Sequence, residues 1–396
     1  MMQISPEIQL FIREHSSDDV RVLALQAKKY PDIDMPTVIT QIAGRKVAAE
    51  KIPSWWEIEK IWYPKHLSLE QCSSEITARY KARLLQGDSL TDLTGGFGID
   101  CSFLATGFKS ATYVERQEEL CEIAAHNFPV LNLNHINIKN EDGVTYLQAM
   151  SPVDCLFLDP ARRNEHGGKT VAISDCEPNV AELEELLLQK ANRVMIKLSP
   201  MLDLSLALKE LKHTQEVHIL SVNNECKELL ILLGQTSPAE ITIHCVNLFT
   251  KGTQEEQHFV FTREQEQRSQ CTYTDSLGDY LYEPNASLLK AGAFRSIAAA
   301  YPVRKLHPNS HLYTSDTFIE NFPGRIFRIV NQCSFNKKEV KENLADLKKA
   351  NVTVRNFPAT VAELRKRIHL AEGGDTYLFA STLNNGQKVI IRCEKV

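Results

Sequence analysis

Four carboxylates, Asp92, Glu115, Asp142 and Asp159, each stand at or just past the end of a short apolar run. Directly after the first comes Leu93-Thr94-Gly95-Gly96-Phe97-Gly98-Ile99-Asp100, whose three glycines make a loop with few side chains. Leu90 to Leu93 reads as the end of a buried strand, and Ile99 to Leu104 as the opening of a helix. Strand, glycine turn and helix start bring backbone N–H groups and the positive end of a helix dipole to face a ligand. In an open α/β sheet ligands bind outside the carboxyl ends of the strands, so an acid at each of four such ends is a ligand-reading set. A single charged strand end needs no function, but four of them around a glycine loop do.

Each acid has a job that its position suggests. Glu115 lies 20 residues after Gly95, the spacing at which a carboxylate receives the two ribose hydroxyls of an adenosine. Arg116 adjoins it. Asp142, followed by Gly143, is placed to accept the adenine amino group. Asp92 and the N–H groups of Thr94, Gly95, Gly96, Phe97 and Gly98 suit a ligand bearing both an ammonium and a carboxylate. A pyrophosphate does not suit: the dinucleotide fingerprint G-x-G-x-x-G lacks its third glycine, where Cys101 stands, and Asp100 sets a negative charge beside the would-be phosphates. No Gly-Lys-Ser/Thr follows, so there is no Walker A loop. An adenosine joined to an amino acid without phosphate is S-adenosylmethionine, and we expect its methyl group to face Asp159.

The residues D-L-T-G-G-F-G-I-D at 92–100, the acid Glu115, N-E-D-G at 140–143 and L-D-P-A-R at 158–162, with a seven-stranded sheet ending in an antiparallel strand, resemble class I S-adenosylmethionine-dependent methyltransferases. The resemblance covers roughly residues 68–234. It implies an α/β Rossmann-like core and S-adenosylmethionine as cofactor. It also implies that the preceding helix, Gln71 to Lys81, flanks the cofactor, with Gln71 among the binding residues. A helical N-terminal part, this core and a small α+β C-terminal module also resemble bacterial methyltransferases with a THUMP-like RNA-binding domain. That resemblance implies an RNA partner.

The substrate is expected at Asp159-Pro160-Ala161-Arg162. Family members that methylate exocyclic amines of bases carry Asp or Asn, Pro, Pro and an aromatic or Arg. The carboxylate and the proline-region carbonyl accept the two amine hydrogens and free the nitrogen lone pair for the methyl. Alignment is then most of the catalysis, with reacting atoms about 3–3.5 Å apart. Here Ala161 replaces the second proline and Arg162 the aromatic; a guanidinium plane can stack on a base or grip a phosphate. Lys197, at the end of the apolar strand expected over Arg193–Leu198, either touches the substrate or pairs with Asp159. The expected catalytic set is therefore Asp159, Pro160, Arg162 and Lys197, acting on a base amine of tRNA or rRNA. Two alternatives stay open: an RNA-binding protein whose core no longer turns over, suggested by Ala161, or a methyltransferase acting on a protein or small molecule.

His66, His126, His166 and His218 show no metal-ligand spacing, and the ten cysteines occur singly, so no metal is expected. The cysteines read as small hydrophobes of a protein in a reducing cytoplasm. No apolar run reaches about 18 residues and no signal peptide is evident. A chain of 396 residues exceeds one ordinary core. Its segments read as a helical domain over 1–66, the core over 67–236, a hairpin-and-helix linking domain over 237–323 and a basic THUMP-like domain over 324–396. The net charge is −5, yet residues 336–396 carry 12 Lys and Arg against 7 Asp and Glu, which invites a polyanion. Within these segments Ser17 is expected to cap a helix, and Ser68 to open one running to Gly87. Strands and helices alternate from Leu90 to Glu216. The strand Glu216–Val222 is followed by a six-residue link, too short for a helical crossover, so the next strand must return antiparallel. Beyond it we expect a hairpin (241–249 with 258–262), a helix from Asn285 through Ile297, and a β-α-β-α-β-β module from Gly324.

Overall fold

The computed structural model describes residues 5–162 and 172–396. The chain divides into two compact units, Met1–Gln215 with Leu229–Pro238, and Glu216–Glu228 with Ala239–Val396.

The first unit opens with helices α1 (Pro6–Glu14), α2 (Val20–Leu25), α3 (Met35–Lys51) and α4 (Pro53–Trp56). The cap of α2 is Asp19, whose carboxylate accepts from the N–H of Arg21 at 2.7 Å, and not Ser17 as expected. A carboxylate beside a helix N-terminus also meets the dipole, which a hydroxyl does not. Trp55 and Trp62 are buried with Ile52, Ile61 and Phe97, while Trp56 lies 42% exposed. The helix expected from Ser68 to Gly87 is two helices, α5 (His66–Gln71) and α6 (Glu75–Ala82). Ser74 takes extended backbone angles at the start of α6, and the Ser73 hydroxyl is spent on buried charges instead of the helix.

Then come β1 (Ser89–Asp92), α7 (Ile99–Ala105), β2 (Ser110–Glu115), α8 (Glu118–Val130), β3 (Ile136–Asn140), α9 (Gly143–Ala149) and β4 (Val153–Leu158). A short ribbon of β5 (Ala161–Arg162) and β6 (Cys176–Glu177) precedes α10 (Val180–Lys190), β7 (Ala191–Leu198), α11 (Leu204–Glu210) and β8 (Thr214–Val222). β9 spans Glu225–Gly234. Within this unit the strands lie in the order β9-β7-β4-β1-β2-β3, all parallel except β9, which runs against β7. Its centre reads as unbroken apolar residues, as a sheet covered on both faces requires. The link from β8 to β9 is two residues and not six: Asn223 and Asn224 both adopt left-handed φ, +49° and +69°, which is a tight hairpin turn. The antiparallel return is as expected; the link is shorter than expected because Glu225–Glu228, polar in sequence, already belong to the strand.

The second unit carries β10 (Thr242–Leu248), parallel to β8, and β11 (Glu256–Thr262), antiparallel to β10. After α12 (Arg263–Arg268) come β12 (Tyr280–Pro284), α13 (Ala286–Ala291), α14 (Ser296–Ala300), β13 (Arg304–Lys305), β14 (Tyr313–Ser315) and β15 (Gly324–Ser334). The helix expected through Ile297 breaks at Gly292, whose φ of +77° ends α13. The last elements are α15 (Lys337–Leu344), β16 (Asn351–Val354), α16 (Val361–Ile368), β17 (Thr376–Thr382) and β18 (Lys388–Lys395). One sheet, β13-β14-β12-β15-β18-β17-β16, runs through residues 280–395. Leu281, Phe327, Phe379 and Ile391 pack in one buried cluster, and Val340, Leu344, Leu364 and Ile390, with both late helices, in another. The β12, β13 and β14 strands carried too little alternation to be read from sequence. Among the described residues no helix is long and apolar enough to cross a membrane.

Candidate functional site

The register of the sheet collects the acids at one edge. Asp92 closes β1 opposite Tyr113 of β2 and Phe157 of β4, so Glu115 and Asp159 each stand two residues further out on the flanking strands. Asn140 faces Glu115 across β2 and β3, and Asp142 lies two residues beyond it. The loop between is stitched to these acids. The Gly96 N–H donates to Glu115 Oε2 at 2.9 Å, and the Gln117 N–H to Oε1 at 2.8 Å. The Thr94 N–H donates to Asp92 Oδ1 at 3.0 Å, and the Asp159 N–H to Thr94 Oγ1 at 2.6 Å. A side chain at Gly95 would set its Cβ 2.3 Å from the Tyr113 ring, and one at Gly143 would meet the Leu93 carbonyl oxygen at 2.2 Å. Those two glycines are therefore demanded by packing, and they hold the loop flat against the strand ends.

The charges beneath this edge form a buried chain. Lys81 Nζ lies 2.9 Å from Asp100 Oδ1, and Lys197 Nζ lies 3.1 Å from Asp100 Oδ2 and 2.5 Å from Asp159 Oδ2. Ser73 Oγ donates to Asp100 at 2.7 Å and receives both ammonium groups, at 2.8 and 3.0 Å. Lys81 is wholly buried and Lys197 nearly so. Burial works against charge on Asp100, but Lys197 and Lys81 overcome it and hold that carboxyl below the usual carboxylate range. For Asp159 burial wins over Lys197 and the group is raised. Asp92, 1% exposed, is pushed up to about 8, by burial first and then by Asp100 and Asp159, against the Thr94 N–H and Lys197. Its Oδ2 atom is buried without a hydrogen-bond partner. A buried polar atom left so costs about 1–3 kcal/mol, which a ligand donor would recover.

The other expected residues are placed unevenly. Asp142 caps α9, its Oδ1 accepting from the N–H groups of Val144 and Thr145 at 3.1 and 3.0 Å, and Gly143 opens that helix. The Phe97 side chain turns into the core, 5.3 Å from the Trp55 ring, so only its backbone belongs to the loop surface. Arg116 is exposed, 3.5 Å from Glu177, and Gln71 is exposed at the end of α5. Pro160 is buried. Arg162 has its backbone on β5, but its side chain, like Arg163 and His166, lies outside the described residues. Lys197 pairs with Asp159, the second of the two roles open to it. Sequence reasoning missed Ser73, Lys81 and Asp100. One signal was available: Lys81 follows Thr77 and Ala78 at the helical spacing of four and three, on the buried face of α6.

Parallel strands in this order, an antiparallel last strand, a glycine loop after β1 and acids at the neighbouring strand ends define the class I methyltransferase fold. The chain is 35% identical to a proposed methyltransferase from Porphyromonas gingivalis W83, whose crystal structure matches over 100% of both chains with a TM-score of 0.88. This protein belongs to that methyltransferase family. Residues 280–323 match a ferredoxin-like domain and residues 324–395 a THUMP-like domain. Crystal structures of an rRNA methylase from Streptococcus thermophilus (15% identity, 40% of this chain and 93% of that one, TM-score 0.29) and of a Streptococcus mutans protein in complex with SAH (13%, 40% and 96%, 0.30) also match. Their TM-scores are too low to bear on this chain. Among curated proteins there is no match.

Proposed function

We propose that this protein transfers a methyl group from S-adenosylmethionine to RNA. The observation that carries the reading is the glycine loop stitched to Asp92, Glu115 and Asp159 at one sheet edge, with the unpartnered Oδ2 of Asp92 buried beneath it. Glu115 would hold the ribose hydroxyls and Asp142 the adenine amino group. Asp92 and the loop N–H groups would hold the ammonium and carboxylate. Bound there, the cofactor supplies a sulfonium methyl already activated for transfer. The residues of this chain then align the acceptor. Asp159 has one oxygen on Lys197, yet its side chain is 37% exposed, so it retains room to accept a hydrogen from a base amine. Pro160 and Arg162, which follow it in the chain, would complete the acceptor site. Lys197 acts as a positioning residue.

RNA is supported by the THUMP-like match and by charge. Lys337, Lys338 and Lys341 on α15, and Lys348 and Lys349 after it, are all exposed. Such a row contacts phosphates with a strong dependence on salt. The deciding experiment is mass spectrometry of tRNA and rRNA nucleosides from cells with and without the gene. A methylated nucleoside that disappears with the gene and returns when the gene is restored is expected; an unchanged nucleoside profile would count against the reading.

Two ligand-binding results follow. Glu115→Gln should weaken S-adenosylmethionine binding by about 1.5–3 kcal/mol, the value of hydrogen bonds to a charged acceptor. Calorimetry reads this directly, and an unaltered affinity would show that the carboxylate does not meet the ribose. The second result concerns protons. Free Asp92 keeps its proton at neutral pH, since its value is raised to about 8, whereas pairing with an ammonium requires the carboxylate. The complex therefore holds fewer protons than the free protein, and affinity should rise with pH until about 8. Calorimetry in two buffers of different ionisation enthalpy should show proton release that Asp92→Asn abolishes.

A further inference from the structure

Glu216 and His218 are two residues apart on β8 and so share a face of the sheet. His244 of β10 stands in register beside His218. His258 of β11 faces Val246, two residues from His244, and belongs to the same face. Three strands thus bring three imidazoles and a carboxylate together, from positions up to 42 residues apart. The Glu216 Oε2 atom lies 3.3 Å from His218 Nε2 and 4.0 Å from His244 Nε2. On the far side of the His244 ring, Nδ1 lies 3.1 Å from His258 Nε2. A contact that short between two ring nitrogens needs one proton shared between them, so at least one of the pair is a neutral imidazole.

We propose that Glu216, His218 and His244 form a binding site for a divalent transition-metal ion of the zinc type. Among the described residues, theirs is the one set of three such side chains whose ligand atoms all lie within 4.8 Å of one another. A tetrahedral ion with bonds of about 2.0–2.1 Å needs its donors about 3.3 Å apart. The His218–Glu216 edge already has that length, and the His244–Glu216 edge must close by under 1 Å. The His218 and His244 rings are stacked 5° from parallel, with centroids 4.2 Å apart, so binding turns them until their lone pairs converge. Imidazole nitrogen with one carboxylate selects zinc, nickel, cobalt or copper over magnesium or calcium. His258 completes the arrangement from outside. With Nε2 on the metal, His244 donates its Nδ1–H to His258 Nε2, the outer hydrogen bond that orients a ligating histidine. His218, almost wholly buried, anchors the set, while the part-exposed Glu216 and His244 leave a path from solvent.

This site is independent of the methyl-transfer reading. Untagged full-length protein, stripped with a chelator, is titrated with Zn²⁺ in a calorimeter and with Co²⁺ in the visible. The expected result is one equivalent bound with a Kd of about 1 μM or tighter, with the ligand-field bands of a cobalt–nitrogen site. His244→Gln and Glu216→Gln, both part-exposed and conservative in volume, should each weaken it at least about tenfold, and His258→Gln by a similar factor. Circular dichroism and unfolding temperature check that the variants fold. No binding tighter than about 100 μM, an affinity that neither His244→Gln nor Glu216→Gln alters, or sulfur-to-cobalt charge transfer, which would place the ion on cysteines, would each overturn the proposal.

Discussion

Lys81→Met should cost about 3–5 kcal/mol of folding stability, as removal of one partner from a buried ion pair does. The side chain is inaccessible and its ammonium is met by Asp100 and Ser73. Methionine fills much of the same volume, so the loss is of charge more than packing. What remains is a buried Asp100 held by Lys197 and the Ser73 hydroxyl. The pH dependence follows from the direction of the Asp100 shift. A carboxyl held below its ordinary value stabilises the fold above the unfolded pKa, and that contribution fades as acid protonates the native group. The gap between wild type and Lys81→Met should therefore be widest near neutrality and narrow on acidification. Urea unfolding across pH measures it. Adding Asp100→Asn to Lys81→Met should cost less than the two separate losses combined, because each single change strands a charge that the pair does not. A gap independent of pH, or strict additivity, would show that Lys81 matters only as buried volume.

Asp159→Ala is expected to reduce methyl transfer by about 10²-fold or more while leaving S-adenosylmethionine affinity nearly unchanged. On the proposed reading Glu115, Asp142, Asp92 and the loop N–H groups hold the cofactor, whereas Asp159 aligns the acceptor. Its backbone N–H, which binds Thr94 Oγ1, survives the substitution, so the glycine loop keeps its tie. Lys197→Met gives the contrast. It frees the Asp159 carboxylate but lets it move, and it should lower kcat with a smaller change in KM for RNA, which a residue gripping RNA would not do. Single-turnover transfer with labelled cofactor separates the cases. Asp159→Ala with transfer within about threefold of wild type would remove that carboxylate from the acceptor's alignment.

The legible parts of this molecule share a local cause. Gly95 is needed where a Cβ would strike Tyr113 of the next strand and Gly143 where one would strike the Leu93 carbonyl, and each sits within a few residues of the acid it serves. Asp92 and Glu115 end their strands, Asp159 directly follows one, and Asp142 lies two residues past another as the cap of α9. Where two local signals competed, the reading slipped. Ser68 looked like a helix cap, but Ser73 and Ser74 divide the helix because a hydroxyl was needed among buried charges. Asp100 read as a repellent for phosphate, and its use is to join Lys81 to Lys197. Glu225 to Glu228 looked like a loop, yet the Asn223-Asn224 turn had already closed the hairpin. Phe97 counted as part of the loop, and its ring proved to be core.

From the sequence by itself come the alternation of strands and helices, the glycine loop, the acids that end the strands and the basic character of the last segment. Each depends on neighbours a few residues away, and periodicity and turn chemistry report such neighbours directly. Only the tertiary structure decided which charges meet. Ser73, Lys81, Asp100, Asp159 and Lys197 span 124 residues, and Glu216, His218, His244 and His258 come from three strands. Strand order and register bring such groups together, and these are set by burial summed over the whole sheet, which leaves no mark at any single position.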